Sequence, residues 1–157
     1  MRRLKILEKI IKTLKERKLT ISIAESCTGG YVSYLLTKIS GSSNVFKGGL
    51  VIYSSEAKNT FLKIPIRLLK KTQGVSKQVC LVLAKNVKKS LKTDIGASVV
   101  GFAGPKAKKG IKIGTILIGI SDKKGTVIKK VVIKGTRNAV RKKASNYLIE
   151  LLYKRVK

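Results

Sequence analysis

Leu4, Leu7, Ile10, Ile11 and Leu14 recur at helical spacing among lysines and glutamates, so residues around 3 to 17 are predicted to form an amphipathic helix whose apolar stripe needs a sheet to cover. The period then changes. Thr20 to Ala24 reads as a short buried strand, and beyond the turn Ser26-Cys27-Thr28-Gly29-Gly30 a helical run extends from Tyr31 to Lys38. Ser40-Gly41-Ser42-Ser43-Asn44 is a loop, Gly48 to Tyr53 a second strand, and Ser54-Ser55-Glu56 a helix start leading into Ala57 to Leu62. Pro65 interrupts the pattern. Ser76 is placed to cap a helix whose buried face holds Val79, Val82, Leu83, Val87 and Leu91, and Ile95 to Phe102 follows as a third strand.

Two β-rich runs, Lys112 to Ser121 and Thr126 to Lys134, flank Asp122-Lys123-Lys124-Gly125, a hairpin signal that makes them antiparallel partners. A last helix from about Arg137 to Arg155, capped by Thr136, carries Val140, Ala144, Tyr147, Leu148, Leu151 and Leu152 on one side. Alternating β and α followed by a hairpin predicts an α/β fold: a three-layer α/β/α sandwich with a mixed sheet and a C-terminal β-hairpin. No internal repeat or linker interrupts it, and 157 residues suit one domain spanning 1–157. Ligands of such sheets collect at the carboxyl ends of strands, so the turns after the first three strands are where a site is expected.

Composition changes the picture in two ways. The chain carries 36 Lys or Arg against 7 Asp or Glu, a formal charge of +29, which alone would favour nucleic acid or an anionic membrane as partner. Its distribution argues otherwise. Between Leu19 and Thr37 the only charged residue is Glu25, and Thr93 to Pro105 and Ile113 to Ser121 hold no Lys or Arg. The lysines gather on helix faces and in loops without interleaved aromatics, so a lysine-rich bias on solvated faces is favoured over dedicated nucleic-acid binding. Second, histidine is absent. That removes Ser-His-Asp and Cys-His nucleophile systems, imidazole acid-base chemistry and His-ligated metals, and the scarcity of carboxylates argues against paired-acid hydrolysis and carboxylate metal cages.

Cys27 and Cys80 form no C-x-x-C motif and no disulfide framework, which suits a reducing cytoplasm. Lys5, Glu8, Lys9 and Lys12 break up what would have to be the apolar run of a signal peptide. Ile113 to Ile120, the longest near-apolar stretch, is far short of the ~20 residues of a membrane-spanning helix. A cytoplasmic protein with no membrane partner is expected.

The chemistry left is that of Ser, Thr, Tyr, Lys and the backbone. In Ala24-Glu25-Ser26-Cys27-Thr28-Gly29-Gly30, two hydroxyls and two glycines open a helix directly after a strand, where free N–H groups can meet a phosphate or a developing oxyanion beside the Ser26 hydroxyl. A serine- or threonine-capped helix explains the spacing equally well. Cys27, with no histidine to activate it, reads as a small buried residue. Tyr53 ends the second strand and Lys58 comes five residues later, so both can point into one cleft. A lysine serves as general base only when neutral, which requires burial or neighbouring cations to lower a pKa normally near ~10.4. Ser55-Glu56-Ala57-Lys58 also matches an S-x-x-K pattern, but 13 serines and 29 lysines make such a match a matter of chance.

Taken together and in order, Ala24 through Gly30, Gly41-Ser42-Ser43, Gly48 through Lys58, Gly74-Val75-Ser76, Gly101-Phe102-Ala103-Gly104-Pro105, Gly114-Thr115 and Gly135 through Arg141 closely resemble the CinA C-terminal domain family of competence/damage-inducible proteins. The similarity covers roughly Leu4 to Leu152 and leaves no room for the molybdopterin-binding-like N-terminal domain many members carry, so the chain looks like the stand-alone form. The family includes the bacterial nicotinamide mononucleotide deamidase. The resemblance therefore implies an amidohydrolase converting nicotinamide mononucleotide to nicotinic acid mononucleotide and ammonia in pyridine nucleotide recycling, with no metal and no cofactor.

By the same resemblance Ser26 matches the nucleophile, and Tyr53 and Lys58 match the polar pair that moves protons and positions groups, either being the immediate base. Thr28, Gly29, Gly30, Gly101, Ala103 and Gly104 are the expected substrate-binding and oxyanion-donor positions. Arg137 matches an arginine suited to the substrate phosphate, with Arg141 one turn further on. Three departures stand out: Val100 where the family usually has Thr or Ser, Lys106-Ala107-Lys108-Lys109 and Lys112 in the loop after Pro105, and Thr136 where an acidic residue usually precedes Arg137. The expected partners are the small-molecule nucleotide and further copies of the chain. Two alternatives stay open: a catalytically lapsed basic member that binds nucleic acid or an acidic partner, and an amidase for another small amide.

Overall fold

A computed structural model describes residues 2–157. The chain runs through α1 (Arg2–Glu16), β1 (Ile21–Glu25), α2 (Tyr31–Thr37), a 3-10 turn (Ser42–Asn44), β2 (Phe46–Val51) and α3 (Ser55–Leu62). It continues through α4 (Ile66–Thr72), α5 (Lys77–Ser90), β3 (Ile95–Gly101), β4 (Thr115–Asp122), β5 (Gly125–Val132) and α6 (Arg137–Val156). The strands form one sheet in the order β2-β1-β3-β4-β5, with β1 parallel to β2 and β3 and the hairpin strands antiparallel. This is the expected three-layer α/β/α sandwich with a mixed sheet and a C-terminal hairpin.

Burial is a consequence of that order. β1 and β3 lie inside the sheet with helices on both faces, so all five β1 residues are buried, whereas edge strand β2 alternates between half-buried and exposed. On one face Leu7, Ile10 and Leu14 of α1 pack with α2, α6 and the odd-numbered β3 residues Ile95, Ala97 and Val99. Full burial of each such aliphatic chain contributes about 1.5–3 kcal/mol. On the other face Leu62, Leu69, Val79, Leu83 and Val87 of α3, α4 and α5 cover Ala24, Val100 and Leu117.

The structure corrects several expectations. Pro65 reads as a break and hides α4 in the sequence, yet it occupies the N-cap of that helix, where its missing N–H costs nothing. β2 starts two residues early, at Phe46, and ends at Val51. β4 starts only at Thr115, because Gly114 takes a positive φ of 85° and donates its N–H to the Phe102 carbonyl. Leu4 and Tyr147, expected on buried stripes, are 43% and 39% exposed. Ser54, Ser76 and Thr136 do cap their helices, accepting from the N–H groups of Ala57, Val79 and Ala139. Among the described residues no helix is long and apolar enough to cross a membrane.

The register sets the site. Glu25 pairs with Val51 on one side and Val99 on the other, so β1, β2 and β3 end at nearly the same level. Ser26, Tyr53 and the Gly101–Gly104 segment, which lie at the carboxyl ends of these three strands, therefore emerge on one edge.

Candidate active site

Ser26 leaves β1 with its N–H still bonded to Val99, and the turn after it is organised from inside by Glu25. This fully buried carboxylate accepts from Thr28 Oγ1 (2.6 Å), the N–H groups of Gly30 (3.1 Å), Val32 (3.1 Å) and Ser33 (2.8 Å), and Ser33 Oγ (2.7 Å). The unpaired donors that open a helix are thus satisfied by the chain itself. The Gly29 N–H donates to the Ser26 carbonyl (3.1 Å) and the Gly30 N–H to Glu25, so the expected role of these two groups as donors to a bound phosphate or oxyanion is corrected to a structural one, and the Thr28 hydroxyl is likewise committed to Glu25. Arg141 belongs to the same scaffold. Its Nε donates to the Cys27 carbonyl (3.0 Å) and its Nη2 to that of Thr28 (3.3 Å), which corrects its reading as a substrate contact. Gly29, at a φ of 59°, lies so close beneath it that a Cβ would come within 2.8 Å of Arg141 Nη2.

Sequence reasoning gives Glu25 no role of its own. A signal is nevertheless present, for it is the only charged residue between Leu19 and Thr37. Changing it to glutamine swaps an acceptor for a donor that faces donors. Glu25→Gln is expected to cost about 2–4 kcal/mol and to lower the unfolding midpoint by roughly 5–15 °C. Circular dichroism melts check this, and an unchanged midpoint would show that the turn is held by something else.

Ser26, Tyr53, Lys58 and Arg137 line one cleft of about 280 Å³, walled on its far side by Gly101, Ala103 and Gly104. Lys58, on α3, is only 4% exposed, and its Nζ donates to Ser26 Oγ (3.0 Å) and to the Tyr53 carbonyl (3.1 Å). Burial is the main cause that pushes its pKa below the ordinary lysine value, against smaller opposing effects of Cys27 and Glu56. Gly74 closes the space behind the amine, for a Cβ there would lie 3.4 Å from Nζ. Cys27 is buried beside Ser26, and desolvation pushes its thiol up to about 12, leaving it protonated and a poor nucleophile.

Tyr53 reaches the cleft differently from the sequence expectation. Its phenol is turned outward, the residue is 59% exposed, and Oη accepts from Arg137 Nη2 at 2.7 Å rather than contacting Ser26. Arg137 also donates through Nη1 to the Gly104 carbonyl. Both of its acceptors are neutral, so the guanidinium charge at the mouth is not cancelled. Lys106, from the loop after Pro105, lines the same mouth, while Lys108 ties that loop to α4 by donating to the Lys71 carbonyl (2.6 Å). Gln73, Val75 and Phe102 complete the lining; Val75 and Phe102 lie within segments that carry the family resemblance, but sequence reasoning gives none of the three a role. Val100, by contrast, is fully buried in the core under α5 and does not line the cleft. Among the described residues no group of His, Cys, Asp or Glu is arranged to hold a metal ion.

A family model for the CinA C-terminal domain matches residues 3–156. The chain belongs to the CinA C-terminal domain family. A provisionally named competence-damage inducible protein of Alkaliphilus oremlandii is 42% identical over 96% of this chain and 37% of its own length. A CinA-like protein of Flavobacterium psychrophilum is 41% identical over 92% of this chain and 35% of its own. The chain thus spans about a third of the length of these curated relatives. Among solved structures, the competence or damage-inducible protein of Enterobacter asburiae superposes with a TM-score of 0.94 at 26% identity, covering 99% of this chain and 98% of the other. The competence/damage inducible protein CihA of Agrobacterium tumefaciens gives 0.91 at 27% identity over 96% and 93%. The CinA fold is therefore shared along nearly the whole chain.

Proposed function

We propose that this CinA-family chain hydrolyses the carboxamide of nicotinamide mononucleotide to a carboxylate and ammonia through a Ser26 acyl-enzyme, the activity that the sequence resemblance implies. The observation that carries the reading is the 3.0 Å hydrogen bond between Lys58 Nζ and Ser26 Oγ, at a lysine whose burial favours the neutral amine. A neutral amine has one lone pair and two N–H groups. In the neutral form, donation to the Tyr53 carbonyl keeps one N–H while the bond to Ser26 reverses, so that the lone pair accepts the Ser26 proton.

In the first step Ser26 Oγ attacks the carboxamide carbon while Lys58 takes its proton. The oxyanion that forms needs donors, and the N–H groups of Ala103 and Gly104 on the cleft wall bond to no acceptor among the described residues. Collapse expels the amine, which leaves as ammonia with the proton returned by Lys58. Water, deprotonated in turn by Lys58, then attacks the ester carbon, and Lys58 returns that proton to Ser26 Oγ as the C–O bond breaks and the acid departs as its carboxylate. Arg137 and Lys106 at the mouth supply positive charge for the phosphate, and an incoming phosphate competes with Tyr53 Oη for the guanidinium.

Purified protein should release ammonia from nicotinamide mononucleotide at pH between 6 and 10, and failure to do so across that range rejects the reading. A panel of nicotinamide, its riboside, its mononucleotide and its dinucleotide separates this substrate from another small amide. Arg137→Gln is expected to raise KM for the mononucleotide about 10- to 100-fold, the worth of a charge-assisted contact, with little change in kcat. KM for the riboside, which lacks the phosphate, should stay as it was. Equal increases for both would place Arg137 in the scaffold instead.

A further inference from the structure

We infer that the Ser26 cleft binds flat carboxylates bearing a phosphate more tightly than the matching carboxamides, so that the reaction is restrained by its own acid product. The restraint rests on the hydrolysis proposed above, whereas the preference for a carboxylate rests on the cleft. Among the described residues, that cleft is lined by three cationic side chains, Lys58, Lys106 and Arg137, and by no carboxylate. None of the three forms an ion pair with Asp or Glu among the described residues.

Lys58 is the cation at the reacting end. When protonated its amine has three N–H donors, and two are matched, by Ser26 Oγ (3.0 Å) and the Tyr53 carbonyl (3.1 Å), both neutral. The third has no acceptor among the described residues, on a side chain only 4% exposed. With Gly74 closing the space behind Nζ, that donor is left to the cleft. A buried charge without a counter-charge is unfavourable, and an anion placed beside it relieves the cost.

The proposed chemistry decides which ligand atom stands there. Lys58 gives a proton to the leaving amine, so the amide nitrogen has to lie beside Nζ. In the product an oxygen takes that position. A carboxamide turns N–H donors towards the ammonium, whereas a carboxylate offers it a charged acceptor. The proton of the newly formed acid, which comes from the attacking water, passes to the neutral amine and leaves an ammonium–carboxylate pair. Arg137 meets the phosphate of substrate and product alike and does not distinguish them.

The pair also makes binding depend on pH. The groups facing Lys58 are the Cys27 thiol from the turn after β1, Glu56 from its own helix, and Arg137 and Lys106 across the cleft. Burial holds the Lys58 pKa below the ordinary lysine value, and a bound carboxylate raises it again. Binding of the acid therefore draws in a proton wherever the free amine is neutral.

Calorimetric titration of the full chain tests this. Ser26→Ala, which cannot form the acyl-enzyme, should bind nicotinic acid mononucleotide at least ~10-fold more tightly than nicotinamide mononucleotide at pH 7, the worth of one charge-assisted contact. In wild type, buffers of different ionisation enthalpy should show a growing fraction of a proton taken up per bound acid as pH rises from 6 to 9. Lys58→Met should equalise the two ligands in the Ser26→Ala background and abolish the proton uptake. Arg137→Gln should weaken both ligands together and leave their ratio as it was, and melting curves establish that each variant is folded. Equal affinities in folded Ser26→Ala, or a preference that survives Lys58→Met, would overturn the inference. Tight carboxylate binding by a chain that releases no ammonia would reject the hydrolysis and still support the carboxylate preference.

Discussion

Ser26→Ala is expected to lower ammonia release from nicotinamide mononucleotide by at least ~10³-fold, the loss typical when a nucleophile is removed and only binding and oxyanion contacts remain. The unfolding midpoint should move by no more than roughly 2–4 °C, since one side-chain hydrogen bond is worth about 1 kcal/mol. No neighbour can take over. Cys27 is held as a buried thiol, and the Tyr53 phenol is turned to Arg137. Acyl-enzyme trapping with hydroxylamine and mass spectrometry gives an independent check: the adduct should sit on the peptide containing Ser26. Residual activity above a tenth of wild type would point to water as the direct nucleophile, and the acyl-serine step would have to be abandoned.

Lys58→Met should have opposite effects on rate and stability. Methionine fills a similar volume without a charge, so activity is expected to fall by about 10³- to 10⁴-fold while the fold gains roughly 1–3 kcal/mol at neutral pH. The sign of the shift gives the pH dependence. Burial lowers the folded pKa of Lys58 below its unfolded value near ~10.4, so between the two values the unfolded chain binds more protons. Wild-type stability therefore decreases as pH falls through the unfolded value and levels off below the folded one. Lys58→Met lacks this loss, and its advantage should grow as pH falls over the same window.

The wild-type rate should rise with pH through the folded value, because only the neutral amine accepts the Ser26 proton. Chemical melts at several pH values and a kcat profile read both quantities. A rate profile without that rising limb would remove Lys58 from the proton-transfer role, even if the methionine variant were inactive.

Much of the site is legible in the sequence because it uses local signals. Gly29 and Gly30 mark a tight strand-to-helix turn, Ser54 a helix cap, and Lys58 lies one turn into the helix after Tyr53. Such features depend on backbone conformations and spacings written in a few consecutive residues. Sequence reasoning fails where a group is claimed from within the fold. The motif suggests open N–H donors at Gly30, but the carboxylate that fills them is only five residues back and folds inward because β1 is buried on both faces. Arg141 is 114 residues from Cys27 and meets it only because α6 packs beside α2. No local pattern records that contact. Val100 stands where the family usually has Thr or Ser, and the alternation of β3 turns it into the core under α5.

The sequence by itself determined the alternation of strands and helices, the hairpin, the absence of imidazole chemistry and the small set of hydroxyl and amine groups able to act. These are consequences of residue periodicity and side-chain inventory, which do not depend on long-range contacts. Tertiary structure alone decided which of those groups meet. Parallel strands ending at one level bring Ser26 and Lys58 to 3.0 Å, and packing strips water from the amine so that a lysine among 29 acquires a lowered pKa. Proximity and desolvation are properties of three-dimensional packing, and neither is encoded in any single stretch of chain.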